Sequence, residues 1–171
     1  MDIKTEADGL NIYSEGLVTE DFKASLDTNV TGTIDIDNLD LSSLGFDVSL
    51  FGGAIDIGGL TLGSGDFTAH ALNNQDLVIS SDIVKTVAGS SLLDLRADKN
   101  VVLENNDITV SNGSLNIIFN SDRDANQDGS IVIDTASITS NGGYFIAGGG
   151  ADPENISAWG NADYYSNGIT M

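Results

Sequence analysis

Apolar residues recur along this chain in short alternating groups. Leu10-Asn-Ile12, Ile34-Asp-Ile36, Ile55-Asp-Ile57, Leu77-Val-Ile79, Val101-Val-Leu103 and Ile131-Val-Ile133 each set two apolar side chains two positions apart. A short polar turn follows each, and then a second apolar group: Leu17-Val18, Leu39-Asp-Leu41, Leu60-Thr-Leu62, Ile83-Val84, Ile108 and Ile138. The starts lie 24, 21, 22, 24 and 30 residues apart. A further strand opens in each unit at Phe22, Phe46, Phe67, Leu93, Leu115, and Tyr144 or Phe145. Alternation puts one side of every such segment in a core and the other in water, because successive side chains of a strand point to opposite faces. No window carries apolar residues at helical spacing, and the 20 glycines are scattered where they would break helices.

A period in the low twenties, with two or three short strands per unit, predicts an all-β fold: a parallel β-helix, or β-solenoid, of about 6–7 coils of 21–30 residues. Each unit is one coil, and inward Ile, Leu, Val and Phe from successive coils stack into one core. Residues 120–130 read as a turn that has lengthened without disturbing the stack. The rival is an antiparallel sandwich or barrel, which also gives many short strands. The alignable period and the scarcity of Asn-Gly at two-residue hairpin positions favour the solenoid. No charge run or Pro-rich linker divides the chain, so residues 1–171 are expected to form a single domain, read as a fragment of a longer exported protein.

The most regular stretch is Leu92–Gly150, where "SNG" recurs at Ser111 and Ser140 before an apolar strand. It contains an L-x-A-D-x-x-V-x-L strand at Leu95–Leu103, a G-x-L-x-I strand at Gly113–Ile117, an Asp-rich turn at Asp122–Gly129 and an I-x-S-N-G-G-x-F-x-x-G-G-G closure at Ile138–Gly150. In these features the stretch resembles the repeat region of filamentous haemagglutinin-type bacterial exoproteins, secreted by the two-partner route. The match covers about a third of the chain; residues 1–90 share only the coil pattern, and the family's amino-terminal secretion domain would lie upstream. The resemblance implies a right-handed β-helix, passage through an outer-membrane transporter, a secreted or bacterial cell-surface location and a role as adhesin shaft or display surface. The expected partner is a host or neighbouring-cell surface receptor or glycan, with no chemistry performed.

Charge narrows the partners further. The chain carries 26 Asp and Glu against 6 Lys and Arg, a formal charge of −20. Nucleic acid and anionic lipid both need clustered positive charge, which argues against either. There is no apolar run long enough to insert in a membrane as a helix and no cysteine.

Candidate chemistry is sparse. Asp124-Ala-Asn126-Gln-Asp128-Gly129-Ser-Ile131 sets oxygen donors on alternate residues before a glycine, as in the first half of a calcium loop. Calcium ligands would be drawn from Asp122, Asp124, Asn126, Asp128 and Asp134. The twelfth position is Thr135 where such loops carry a bidentate Glu, and the plainer alternative is a solvated Asx turn. Asp35, Asp37, Asp40 and Asp56 form an outward acidic ladder, read as a solvated face that discourages edge pairing. His70 is the lone histidine; alternation from Phe67 turns it outward, with no partner for a metal. Trp159, Tyr164 and Tyr165 would either stack on a sugar ring or close the last coil, Tyr165 alternatively opening a further one. The triple glycine at Gly148–Gly150 is expected to form a turn. The alternative function is a polysaccharide-binding or polysaccharide-degrading β-helix, which needs paired acids or an acid with a base. The bases Lys4, Lys23, Lys85, Arg96, Lys99 and Arg123 are not expected to cluster, and no acid pair is singled out.

Overall fold

The computed structural model describes residues 2–6, 9–13, 33–151 and 163–167, the first two and the last of these segments as strands only. Five complete coils follow one another. The first comprises β3 (Thr33–Ile36), β4 (Leu39–Asp40) and β5 (Val48–Gly52); the second β6 (Ile55–Ile57), β7 (Leu60–Leu62) and β8 (Phe67–Ala71). The third comprises β9 (Leu77–Ile79), β10 (Ile83–Lys85) and β11 (Ser90–Ala97); the fourth β12 (Val101–Glu104), β13 (Ile108–Val110) and β14 (Ser114–Ser121). The fifth is β15 (Ser130–Asp134), β16 (Ile138–Thr139) and β17 (Phe145–Gly149). First, second and third strands of successive coils pair in parallel into three separate sheets, here sheets A, B and C. The chain is thus a parallel β-solenoid, and the antiparallel rival falls.

Sheet A runs beyond the five coils. Strand β2 (Gly9–Tyr13) pairs in parallel with β3, β18 (Asp163–Asn167) pairs in parallel with β15, and β1 (Asp2–Glu6) runs antiparallel to β2. Six to seven coils were expected from the spacing; five are complete among the described residues. Leu17-Val18 and Phe22, which would complete the unit opened by Leu10, lie outside them.

The register follows the period read from the sequence. On sheet A the column runs Leu10, Ile34, Ile55, Leu77, Val101, Ile131, Tyr164. On sheet B it runs Leu39, Leu60, Ile83, Ile108, Ile138. Sheet C departs from expectation in two rungs. Its column is Val48, Phe67, Leu93, Ile117, Phe145, so Phe46 and Leu115 stand two residues ahead of the true rung position. A two-residue error preserves the face, since side-chain direction has a period of two, but it changes which outward residues meet.

Inward residues of all three sheets form one continuous cluster from Ile34 to Ile138. One inward position breaks the apolar rule. Lys85 continues the alternation from Ile83, lies between Leu62 and Val110 in the sheet B column, and is fully buried. Its stem fills the place of a leucine, while Nζ donates to the carbonyls of Val87 (2.9 Å) and Gly63 (3.2 Å) at the turn toward sheet C. Burial holds the ammonium below its ordinary value.

The corners explain much of the acidic composition. The residue just before a strand's first inward position repeatedly carries Asp or Asn, whose side-chain oxygen accepts the backbone N–H of the equivalent residue one coil on. At the entry to sheet A, Asp76 accepts from Asn100 N (3.1 Å) and Asn100 from Ser130 N (2.9 Å). At sheet B, Asp82 accepts from Asp107 N (2.8 Å) and Asp107 from Ser137 N (2.7 Å). At sheet C, Asp47 accepts from Asp66 N (2.9 Å), Asp66 from Leu92 N (2.8 Å) and Asn116 from Tyr144 N (3.2 Å). Each corner therefore has a vertical ladder that satisfies N–H groups left over where the strands turn. The recurring "SNG" is the turn from sheet B to sheet C: Gly113 has φ 76° and Gly142 φ 93°. A Cβ on Gly113 would stand 2.2 Å from the Gly89 carbonyl oxygen of the coil below, so side chains are excluded twice over.

The ladders require an acceptor oxygen and not a charge. Asp66→Ala, which leaves the partly buried Leu92 N–H without its partner, is expected to destabilise by about 1–2 kcal/mol. Asp66→Asn, the residue type already used at 100 and 116, should stay within about 0.5 kcal/mol of the parent. Urea unfolding of the two variants measures both.

Candidate functional site

The outward positions differ among the sheets. Sheet A presents Asp35, Asp56, Val78, Val102 and Val132; sheet B presents Asp40, Thr61, Val84, Thr109 and Thr139. Sheet C is chemically richer. One outward column reads Phe51, His70, Arg96, Asn120, Gly148, and beside it runs Ser49, Thr68, Asp94, Ile118, Ile146.

On this face acids and bases meet. His70 Nε2 lies 3.1 Å from Asp98 Oδ1, and the other oxygen of Asp98 accepts the Asn73 N–H at 2.8 Å. Asp98 is thereby fixed in orientation, and it fixes the imidazole. Arg96 donates to Asp94 through two parallel bonds, Nε to Oδ1 at 2.8 Å and Nη2 to Oδ2 at 2.6 Å, the fork geometry of a strong pair. Asp94 is buried although it points away from the core. The ring of Phe51 meets His70 edge-on at 6.2 Å. Burial is the main influence on His70 and lowers its affinity for a proton; Asp98 opposes this, while Arg123 and Arg96 add to it.

The fourth rung holds groups without partners. Asn120 is fully buried, and neither its Oδ1 nor its Nδ2 has a hydrogen-bond partner; the same holds for Nε of Arg123. Beside Asn120 the fifth rung offers Gly148, which lies in β17 and not in the turn expected of the triple glycine, has no side chain and is partly exposed.

The five residues named as calcium ligands do not converge. Asp122 is buried where the chain bulges out of β14 with φ 49°; it orders the extended turn by accepting Gln127 N at 2.9 Å and, through its carbonyl, Ala125 N at 2.8 Å. Asp124 accepts from the Asn126 amide at 2.8 Å, Asn126 from Asp128 N at 2.7 Å, and Asp128 from Asn74 Nδ2 at 3.2 Å. Asp134 ends β15, an extended strand whose length sets it about 13 Å beyond the turn. Three of these bonds are made within the turn, the Asx-turn alternative, while Asp128 takes the Asn74 amide and Asp122 Oδ2 has no partner. Among the described residues no three His, Asp or Glu side chains form a group able to hold a metal ion.

Trp159 lies outside the described residues. Tyr164 and Tyr165 fall in β18, in register with Ile131 and Val132 as a further strand of sheet A. Of the acidic ladder, Asp35 and Asp56 are rung partners on sheet A, whereas Asp40 belongs to sheet B. Asp35, Asp37 and Asp40 are exposed, in keeping with a solvated face. Desolvation, then the charges of Asp37 and Asp56, raise the Asp35 carboxyl above its ordinary value.

His70 points outward as alternation required. Two of the bases, Arg96 and Arg123, do come near His70, against the expectation of dispersed bases: both lower its affinity for a proton. The signal was the coil alignment itself, because His70 and Arg96 each stand three residues after a rung position, Phe67 and Leu93. Asn120 stands three after Ile117, and so it is hidden when Leu115 is taken as the rung. The fold and this face define a β-solenoid with one chemically distinct side. Comparison with family models, with curated proteins and with solved structures finds no match.

His70 gives a test of the face's electrostatics. Its folded value lies below the ordinary 6.5, so folding favours the neutral ring. That preference leaves stability intact above pH 6.5 and removes it as the pH falls below 6.5 through the lowered folded value, because the unfolded chain takes up the proton first. Urea unfolding across this range should show the parent losing stability relative to His70→Gln on acidification. Parallel pH profiles would mean that burial and Asp98 cancel.

Proposed function

We propose that this chain is a structural and adhesive β-solenoid segment of a secreted or surface-attached bacterial exoprotein, of the filamentous haemagglutinin-like kind that its repeat phrases resemble. The solenoid acts as a rigid display surface, and the outer face of sheet C is the part that meets a receptor or glycan on another cell. The observation that carries this reading is the contrast among the faces. Sheets A and B expose the Asp, Thr and Val expected of plain flanks, while sheet C gathers His70, Asp94, Arg96, Asp98 and Asn120 on adjacent rungs. Display needs rigidity, and stacked coils supply it through a continuous core and three corner ladders.

A second reading is favoured by one specific observation. His70 oriented by Asp98, with two guanidinium groups nearby, is an acid–base arrangement of the type polysaccharide-cleaving β-helices need. The two readings separate on one preparation. With the chain immobilised, intact cells or their surface polysaccharide should be retained; Arg96→Ala on sheet C should abolish retention, and Thr109→Ala on sheet B should leave it unchanged. Retention that ignores Arg96→Ala contradicts the proposal. New reducing ends or unsaturated sugars in the polysaccharide, lost in His70→Ala, would establish cleavage in its place.

A further inference from the structure

The fourth rung of sheet C narrows what such a face binds. This inference rests on the recognition role proposed for that face and adds the chemistry of the ligand. We infer that the outer face of β8, β11 and β14 is a binding site for a neutral saccharide, with the Asn120 amide as its central hydrogen-bonding group.

Charge sets the first condition. Asp94 and Asp98 balance Arg96 and Arg123, His70 is neutral above its lowered titration range, and the buried Asp122 adds one carboxylate in the adjoining turn, so the site holds no excess of positive charge in a chain of formal charge −20. A polyanion would meet the repulsion of the whole molecule with no excess of cations to offset it, and a polycation would find both carboxylates already engaged.

The unpartnered groups set the second condition. A buried amide with donor and acceptor both unsatisfied costs stability, and native proteins keep few such groups without reason. Asn120 offers the Nδ2 amino group and the Oδ1 acceptor in one plane, and Arg123 Nε adds a donor. A ligand satisfying all three must present groups that both give and accept hydrogen bonds at close spacing, which is what adjacent sugar hydroxyls do. Phe51 supplies an aromatic surface two rungs from Arg96, against which the apolar face of a sugar ring packs. Gly148, the rung partner of Asn120, carries no side chain and is partly exposed; because the amide itself is fully buried, the ligand displaces its cover on binding.

The test uses the full chain, isotope-labelled, titrated with neutral cello-, manno- and malto-oligosaccharides and separately with oligogalacturonate, following backbone amide resonances. At least one neutral series should shift amides of β8, β11 and β14 together, and oligogalacturonate should bind no better. Asn120→Leu should weaken that binding about tenfold or more, while its melting midpoint stays level or rises because an unsatisfied amide has been removed. Arg123→Gln, outside the strands, should weaken binding in a chain whose dispersed spectrum shows it folded, which keeps the test decisive if Asn120→Leu misfolds. The inference is overturned if no neutral series shifts those amides, if binding survives both substitutions, or if the charged sugar binds tightest. Were cells still retained through Arg96 when neutral sugars fail, the ligand assignment alone would fall and the recognition role would stand.

Discussion

Everything in this structure depends on the rung-to-rung pairing of each coil's backbone with the coils above and below. A short strand of three to five residues has no stability alone; it exists because N–H and C=O groups on both edges are taken up by neighbouring coils. Pairing in register forces like to stand on like, so an inward Ile at one rung demands an inward apolar residue at the next. Where strands end, the backbone turns and the ladder of carbonyls is lost. The corner Asp and Asn residues restore it by lending side-chain oxygens to the coil above. A chain of formal charge −20 is thereby accounted for in part by architecture.

That constraint also decides how much was legible beforehand. The sheet A and sheet B columns could be read directly, from Leu10 through Ile131 and from Leu39 through Ile138, because the first apolar residue of each of these strands is the rung residue that pairs throughout the stack. Sheet C was harder. Its strands β11 and β14 are eight residues long and begin ahead of the rung that pairs throughout the stack, so Leu115 is inward and yet one pleat early. Lys85 was readable from alternation after Ile83, but a charged residue in an inward place is recognised only when the turn carbonyls that receive it are seen.

The corner acids carry a broader lesson about composition. Read along the chain, Asp66, Asp76, Asp82 and Asp107 look like dispersed surface charge. In the solenoid each bonds the residue about one coil further on, a relation that no local motif records. The Asp-rich turn at Asp122–Gly129 shows the reverse case: a spacing suggestive of a cation loop is consumed by the turn's own amides. What distinguishes sheet C is different again, since His70 with Asp98, and Arg96 with Asp94, pair on its outer face, with Asp98 also holding the Asn73 N–H. The corner acids, by contrast, already have a structural use.

The cysteine-free chain allows the register to be tested without background. Val84 and Thr109 are rung partners on the outer face of sheet B, and Thr139 stands one rung beyond Thr109. In the solenoid, cysteines at 84 and 109 lie about 5 Å apart and should close a disulfide readily under mild oxidation, whereas cysteines at 84 and 139, about 10 Å apart, should remain free. Ready closure of the 84–139 pair, with 109 unreactive toward 84, would contradict the stacked-coil register on which the account rests.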